Sequence, residues 1–381
     1  MLWHLKATRS ATSRSIVSQT SNQINHRFGS MFRKKKHLIG LDVGSHTVKV
    51  IQVREEKKGL TLENFGLAPV SPQAIQEGVI KEPDSIIKAI KTLLGNLEIK
   101  ERYVATSISG YAVMIKKIEV PTMSEEALEQ SMFQELGQYI PYNTQEVSVD
   151  YQILGIAPDR PNSMEVLLVA AKKEAVDDYV GLIRLCGLEP AVVDIDFFAL
   201  SNAFELNYGV SAKETVALVD VGANKISINV VHEGIPVFTR DIALGGAHIT
   251  TEIQNRFGLG YDEAEQLKLG AGSEKYSAQD LGDIFFNSAK SWSMEIKRAL
   301  DFFHATYRER RINRVMLSGG SCRLPGFDEL VTKDTRLQAE IFNPFSSIDY
   351  DTRHLDVDYV NYIGPQMAIC LGLALRKVDE R

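Results

Sequence analysis

Residues 38–53 read LIGLDVGSHTVKVIQV, and the rest of the chain can be understood from this stretch. Two apolar, β-branched runs flank a short polar tip, which predicts a β-hairpin. Asp42 ends the first strand, Gly44 and Ser45 form the bend, and Lys49 points back from the second strand. Backbone N–H groups without side chains, a hydroxyl and a cation can together surround a polyphosphate. An ordinary buried hairpin with an Asx-type turn is the alternative, and this stretch alone leaves both open.

The same pattern occurs a second time. Residues 219–231 read VDVGANKISINVV, which is again a strand, an Asp-Val-Gly tip with a small residue, and a second strand. A repeat so widely spaced predicts two similar domains rather than a solenoid of short units. Two such tips facing each other across a cleft, Gly44 against Gly222, would hold one phosphate tail from both sides.

A third motif follows near the C-terminus. Residues 315–326 read VMLSGGSCRLPG, an apolar strand that ends in Gly319, Gly320 and Ser321 and is followed by Pro-Gly. In this order, the three motifs resemble those of the actin/Hsp70/sugar-kinase ATPase superfamily. The resemblance implies an α/β fold, a two-domain actin-like ATPase with ribonuclease H-like halves, and ATP and Mg²⁺ as cofactors.

The resemblance also implies roles for individual residues. Asp42 and Asp220 would hold a hydrated Mg²⁺, because this ion keeps several waters and uses one or two carboxylates. Asp196 lies roughly where Hsp70-like relatives place a glutamate, and catalytic roles are assigned to Asp196 and Asp220. The shorter acid, in Asp-Phe-Phe-Ala instead of Glu-Pro-x-Ala, predicts slow hydrolysis at most. The residues expected to contact the nucleotide are Gly44, Ser45, His46, Thr47, Lys49, Gly222, Ala223, Asn224, Gly245, Gly246, Glu265, Lys268, Gly319, Gly320 and Ser321.

Two of these groups also have a plainer interpretation. Gly245 and Gly246 follow a predicted strand and open a helix, where they could admit a phosphate or simply allow close packing. Glu265 and Lys268 lie three apart on one helix face, in a segment similar to the Ala-Glu-x-x-Lys that lines the ribose and adenine pocket of Hsp70-like relatives. An exposed salt bridge of little energetic consequence is the alternative for this pair.

Composition limits the class of protein. The chain has 381 residues, 44% of them hydrophobic and 24% charged, which is enough for two domains with sizeable cores. Its three cysteines, Cys186, Cys322 and Cys370, are scattered, which argues for a reducing compartment and against a disulfide framework or a zinc site. No run of apolar residues approaches the length needed to span a bilayer.

The first 36 residues differ from the rest. They contain eight Lys or Arg residues and no acidic one, and they are interpreted as a basic disordered extension ahead of a start at Met31-Phe32. A transit peptide, or a basic arm for anionic lipid or nucleic acid, is the alternative. Without these charges the net charge falls from −6 to −14, which argues against general binding to nucleic acid.

The order of predicted strands and helices gives a domain plan. We assign residues 37–110 and 166–200 to a first actin-like subdomain and residues 201–250 and 314–381 to a second. A β-α-β-β unit at 111–165 is inserted in the first, and residues 251–313 form a helical subdomain over the nucleotide. An inserted unit at this place resembles FtsA and PilM rather than actin or Hsp70.

Ordered motifs at 135–141, 167–171, 187–200 and 363–376 resemble most closely the PilM family of type IV pilus assembly proteins. The resemblance implies a cytoplasmic protein, peripheral at the inner membrane, that binds the N-terminal cytoplasmic peptide of PilN in a groove between the inserted and first subdomains. Other inner-membrane or motor components of the pilus are further implied partners, homo-oligomers are allowed, and membrane contact comes only through partners. Two alternatives stay open: an FtsA-like filament-forming ATPase associated with the membrane, and a small-molecule kinase.

Overall fold

The computed structural model describes residues 35–57, 59–157, 160–211, 213–353 and 355–379. The predicted extension therefore lies outside the described residues up to residue 34. Residues 35 and 36 belong to a short strand, which pairs antiparallel with the last strand of the chain.

The strands in chain order are β1 Lys35–His37, β2 Ile39–Val43, β3 Thr47–Glu56, β4 Gly59–Pro69, β5 Ile75–Gln76, β6 Val79–Ile80, β7 Tyr103–Ile108, β8 Val113–Pro121, β9 Val147–Ala157, β10 Arg160–Lys172, β11 Glu189–Ile195, β12 Thr215–Val221, β13 Ile226–His232, β14 Ile235–Ile242, β15 Arg314–Ser318, β16 Gln338–Ile341 and β17 Lys377–Asp379. The α-helices are α1 Pro83–Asn96, α2 Glu125–Tyr139, α3 Lys173–Leu185, α4 Asp196–Tyr208, α5 Gly246–Phe257, α6 Tyr261–Lys268, α7 Ala278–Thr306, α8 Phe327–Thr335, α9 Val357–Ile363 and α10 Ala368–Ala374.

Two five-stranded sheets with the same strand order form the framework. The first has the order β11-β7-β2-β3-β4 and the second the order β14-β13-β12-β15-β16. In each sheet three consecutive strands run antiparallel, and two later strands add in parallel beside the first of them. This repeated topology confirms the prediction of two ribonuclease H-like halves. The central strands β2 and β12 each end at one of the predicted tips.

Helices cover both sheets. On the first sheet, α1 and α3 bury an apolar stripe that includes Ile86 and Ile90. Helix α1 begins at Pro83, a residue type common at the first position of a helix, and ends at Asn96. On the second sheet, α5, α7 and α8 close over a core that contains Trp292.

A shared core joins the two halves. Helices α4 and α10 cross so closely that a Cβ atom on Gly372 would lie 1.7 Å from the carbonyl oxygen of Ala199. Around this crossing one cluster of buried side chains draws on both sheets, with Ala105 from the first and Leu218 from the second. The halves are thus packed against each other through a common apolar layer.

The inserted unit has its own sheet, in the order β8-β10-β9. Ser124 caps α2, since its hydroxyl accepts a hydrogen bond from the Ala127 N–H at 3.3 Å. Strand β10 stays paired with β8 and β9 to its end at 171 and 172, beyond the predicted boundary at 165. One face of this sheet packs on α2. The other face, through Leu167 and Val169, contacts the start of α4. Among the described residues no helix is both long and apolar enough to cross a membrane.

Candidate functional site

The two predicted hairpin tips fold into matching turns. In the first, the Gly44 N–H donates to the carbonyl oxygen of Thr47 at 3.1 Å, and in the second the Gly222 N–H donates to that of Lys225 at 2.9 Å. Each turn therefore has four residues and follows a strand that ends in Asp-Val. Because the turns match, Thr47 and Lys225 occupy equivalent positions. Ser45, His46, Ala223 and Asn224 lie inside the turns.

Acidic side chains stand beside each turn. Asp42 is paired in register with Lys49, and its Oδ2 atom accepts a hydrogen bond from the Lys49 Nζ at 2.8 Å. Asp220, at the same place in the second hairpin, accepts a hydrogen bond from the Ser318 hydroxyl at 2.9 Å. The third motif thus contributes Ser318, a residue that the sequence analysis did not single out.

Burial dominates the electrostatics of this cluster. Burial raises the pKa of Asp42, although the neighbouring positive charge of Lys49 acts to lower it. It raises the pKa of Asp220 to about 6, although Lys49 and the Ser318 hydroxyl favour the ionised form. For Lys49 burial disfavours the charge, but the carboxylates of Asp42 and Asp220 outweigh it and raise its pKa. One ammonium group therefore acts on carboxylates from both halves.

The metal prediction can be compared with this geometry. No group of three or more His, Cys, Asp or Glu side chains within the described ranges is arranged to hold a metal ion. Two carboxylates beside a lysine fit a different kind of site, in which Mg²⁺ keeps most of its waters or takes ligand oxygens. Asp42 and Asp220 are the residues that would hold it.

Asp196 is the first residue of α4, and both of its carboxylate oxygens have partners. Oδ1 accepts a hydrogen bond from the Ser107 hydroxyl at 2.7 Å, and Oδ2 accepts one from the Lys225 Nζ at 3.3 Å. Sequence analysis missed both Ser107 and Lys225. The signal for Lys225 lay in the repeat, since it ends the second turn as Thr47 ends the first.

Gly245 and Gly246 pack the start of α5 against the second turn. A Cβ atom on Gly245 would lie 2.4 Å from the carbonyl oxygen of Ala223. The Gly246 and Ala247 N–H groups donate to the carbonyls of Gly222 and Ala223 at 3.0 and 2.9 Å. The close-packing interpretation therefore describes the observed contacts, and a phosphate contact by these glycines stays a prediction.

The third motif packs against the same turn. The Ser321 hydroxyl donates to the carbonyl oxygen of Gly222 at 3.0 Å. Gly319 has φ +88°, and a Cβ atom there would lie 2.4 Å from the carbonyl oxygen of Val221. Only glycine meets both demands. Gly320 begins the short 3₁₀ turn that follows.

Glu265 connects the helical segment with the first turn. Its carboxylate pairs with Lys268 at 2.6 Å and with the Nε2 atom of His46 at 3.2 Å, and it accepts a hydrogen bond from the Thr250 hydroxyl at 2.7 Å. The other ring nitrogen of His46 lies 3.2 Å from the hydroxyl of Tyr261. The side chains of Glu265 and Lys268 are only 13% and 17% exposed, so this pair is not the exposed salt bridge of the alternative.

These contacts set the charge state of Glu265. Burial disfavours its ionised form, but the hydrogen bonds from His46, Lys268 and Thr250 and the charge of Lys268 lower its pKa to about 2. An ionised carboxylate on α6 therefore contacts the first turn through His46 and α5 through Thr250.

Comparison with known proteins agrees with this fold. The family model described as Type IV pilus assembly protein PilM matches residues 40–378. The chain belongs to the PilM family. It is a type IV pilus assembly protein with an actin-like fold, as the motifs indicated.

The solved and curated relatives of this PilM-family chain include a PilM-PilN complex, FtsA and EutJ. A PilM-PilN type IV pilus biogenesis complex matches with 28% identity and a TM-score of 0.77, covering 89% of this chain and 98% of the other. Cell division protein FtsA of Bacillus subtilis is 22% identical over 374 residues, 88% of this chain and 82% of FtsA. Ethanolamine utilization protein EutJ of Escherichia coli is 25% identical over 154 residues, which span 40% of this chain and only 48% of EutJ.

Proposed function

We propose that this PilM-family chain is an ATP-binding, actin-like scaffold of the type IV pilus, with Mg²⁺·ATP held between the Gly44 and Gly222 turns. The proposal rests above all on the cluster of Asp42, Lys49 and Asp220, in which matched turns from the two halves share one charged centre. Phosphates carry the multiple negative charge that backbone N–H groups and a buried ammonium recognise.

Each group in the cluster has a role in this proposal. Asp42 and Asp220 would hold Mg²⁺, which would offset the negative charge of the phosphates. Lys49 and the turn N–H groups bind the phosphate tail. Glu265 and Lys268 bind the nucleoside beside the start of α5, where the Lys268 Nζ lies 3.4 Å from the carbonyl oxygen of Gly246 and the Glu265 carboxylate accepts a hydrogen bond from the Thr250 hydroxyl.

The same geometry favours a scaffold over a fast enzyme. Hydrolysis needs a group that orients the attacking water. Asp196 stands nearest to that role, but its Oδ1 atom accepts a hydrogen bond from the Ser107 hydroxyl and its side chain is one methylene shorter than that of a glutamate. We therefore propose that hydrolysis is slow at most.

Calorimetric titration with Mg²⁺·ATP tests the nucleotide part. Wild-type protein should bind, and Lys49→Met should bind about 10- to 100-fold more weakly, because a hydrogen bond to a charged group contributes about 1.5–3 kcal/mol. Lys117→Met is the matched control, since Lys117 pairs with Glu165 in the inserted sheet. A wild-type protein that ignores nucleotide at millimolar concentration would overturn the proposal.

We further propose that the N-terminal cytoplasmic peptide of PilN recruits this chain to the inner membrane from the cytoplasm, and that other pilus components join through it. The similar PilM-PilN complex supports this partner, since the match extends over 98% of the chain from that complex. We place the peptide between the inserted and first subdomains, beside the interface where the buried side chains of Leu167, Val169 and Phe198 pack the inserted sheet on the start of α4. Titration with the synthetic peptide should give saturable binding, and no binding at high micromolar peptide would exclude the recruitment.

Similarity to FtsA over 88% of this chain supports a second candidate, a filament-forming ATPase. Sedimentation with Mg²⁺·ATP separates the two. A scaffold stays in the supernatant as a monomer or short oligomer, whereas a filament pellets in a nucleotide-dependent way.

A further inference from the structure

Lys225 is the cation of the site that the motifs do not explain. It ends the second turn, at the position that Thr47 takes in the first, so the turn itself does not require a lysine there. Its Nζ atom lies 3.3 Å from the Asp196 carboxylate and 3.9 Å from that of Asp241. The side chain is 32% exposed and reaches from the second half to the first residue of α4.

The two ends of the second turn face different surroundings. At the Gly222 end the partners are Ser321 and Gly246, which belong to the third motif and to α5. At the Lys225 end the partner is Asp196. On the first turn, His46 points toward Glu265 of α6.

This polarity gives a direction to a bound nucleotide. In the proposed function the nucleoside lies beside α5, α6 and the third motif, so the phosphates run along the turns away from these elements. The last phosphate of a triphosphate then comes nearest to the Lys225 end, while a diphosphate stops short of it.

Several negative charges surround the Lys225 ammonium group. Its ammonium group lies in the field of Asp196, Asp241 and Asp220, and Asp42 also feels its charge. The ammonium can exchange one anionic partner for another without ever being left unpaired. A phosphate oxygen carries comparable charge and accepts the same hydrogen bond.

We propose that Lys225 is the specificity residue that distinguishes a nucleoside triphosphate from a diphosphate, by passing from the Asp196 carboxylate to the terminal phosphate. The inference rests on the proposed nucleotide site. The Lys225 contact between the two halves is then replaced by a contact through the nucleotide, and only the triphosphate can make it.

The test compares affinities for Mg²⁺·AMPPNP and Mg²⁺·ADP by calorimetry. Lys225→Met should weaken AMPPNP binding at least about tenfold, as expected for a lost charge-assisted contact, and ADP binding less than about twofold. Lys225→Arg should keep most of the preference because it keeps the cation. Lys290→Met, which removes an ammonium paired with Asp334 between α7 and α8, should leave both affinities at wild-type values.

The outcomes separate the two proposals. Suppose that wild-type protein binds both nucleotides. If Lys225→Met then weakens the binding of both equally, or changes the binding of neither, the specificity role is wrong and the proposed nucleotide site stands. If wild-type protein binds neither nucleotide, the proposed function fails and this inference with it. Loss of preference in Lys225→Met with retention in Lys225→Arg supports the role.

Discussion

Glu265 shows how much of this site depends on one side chain. Its carboxylate joins Thr250 on α5, Lys268 on its own helix and His46 on the first turn. The sequence placed Glu265 and Lys268 on one helix face but could not place His46 beside them. That contact joins residues far apart in the chain, and only the packing of the two halves creates it.

Replacing Glu265 with Gln should destabilise the protein in a pH-dependent way. The folded pKa of about 2 lies below the ordinary value for Glu, so the ionised group stabilises the fold above that ordinary value. The stabilisation is lost as pH falls toward the folded pKa. Urea unfolding should show a gap of up to about 3 kcal/mol between wild type and variant at pH 7, narrowed to roughly 60% of that value at pH 3.5.

Glu263→Gln is the matched control for this prediction. Glu263 lies on the same helix but is exposed, so its replacement should change the free energy of unfolding by less than about 0.5 kcal/mol at either pH. A gap for Glu265→Gln that keeps its size from pH 7 to pH 3.5 would mean that the carboxylate charge is not what stabilises α6.

Among the elements, the three tips could be predicted because their signals are local. An apolar run that ends in Asp-Val-Gly or Ser-Gly-Gly marks a strand and the turn that follows it within a dozen residues. The full length of β10 was not predicted, because its first residues are polar and its pairing with β8 and β9 decides where it ends. The β1–β17 pair was also missed, since two three-residue strands at opposite ends of the chain carry no local pattern.

The role of Lys225 was missed for a related reason. Its neighbours in sequence mark it only as a turn residue, whereas its partner Asp196 lies in the other half. An alignment of the two four-residue turns would have shown that Lys225 occupies the position that Thr47 has in the first turn. The strand signals place the backbone, but contacts between halves depend on how the sheets pack.

Helices α4 and α10 cross at close range, and Gly372 makes this crossing possible. We predict that Gly372→Ala destabilises the protein by several kcal/mol, because the added Cβ atom would lie 1.7 Å from a backbone oxygen that cannot move independently. Gly282→Ala in α7 is the control, since nothing lies within 4 Å of its Cβ position. It should stabilise the protein by about 0.5–1 kcal/mol through helix propensity. Urea unfolding of both variants measures the contrast, and equal effects would mean that the helices can separate without loss.

At the scale of the whole molecule, the two halves share one apolar layer although each has its own sheet and core. Residues from both sheets surround the α4–α10 crossing. The buried Arg376, just after α10, also pairs with Asp194 on β11, and their side chains are 2% and 1% exposed. Loss of structure in either half would expose this apolar layer to water, so neither half should be stable alone.

The last prediction tests this cooperativity. Ile90 is a fully buried residue of α1 in the first half, and it lies in a different core from Trp292 in the second half. Ile90→Ala should lower stability by about 2–5 kcal/mol. In a Trp3→Phe background, where Trp292 is the one remaining tryptophan of the sequence, fluorescence and far-UV circular dichroism should then report the same lowered melting temperature. Leu185→Ala, at a side chain 64% exposed, should leave both signals near wild type. If the Trp292 signal kept its wild-type melting temperature in Ile90→Ala while the circular dichroism fell in two steps, the halves would unfold separately. In that case a nucleotide bound between the halves would bring together two units that fold independently. If the halves unfold as one cooperative unit, nucleotide binds to an interface that is already formed.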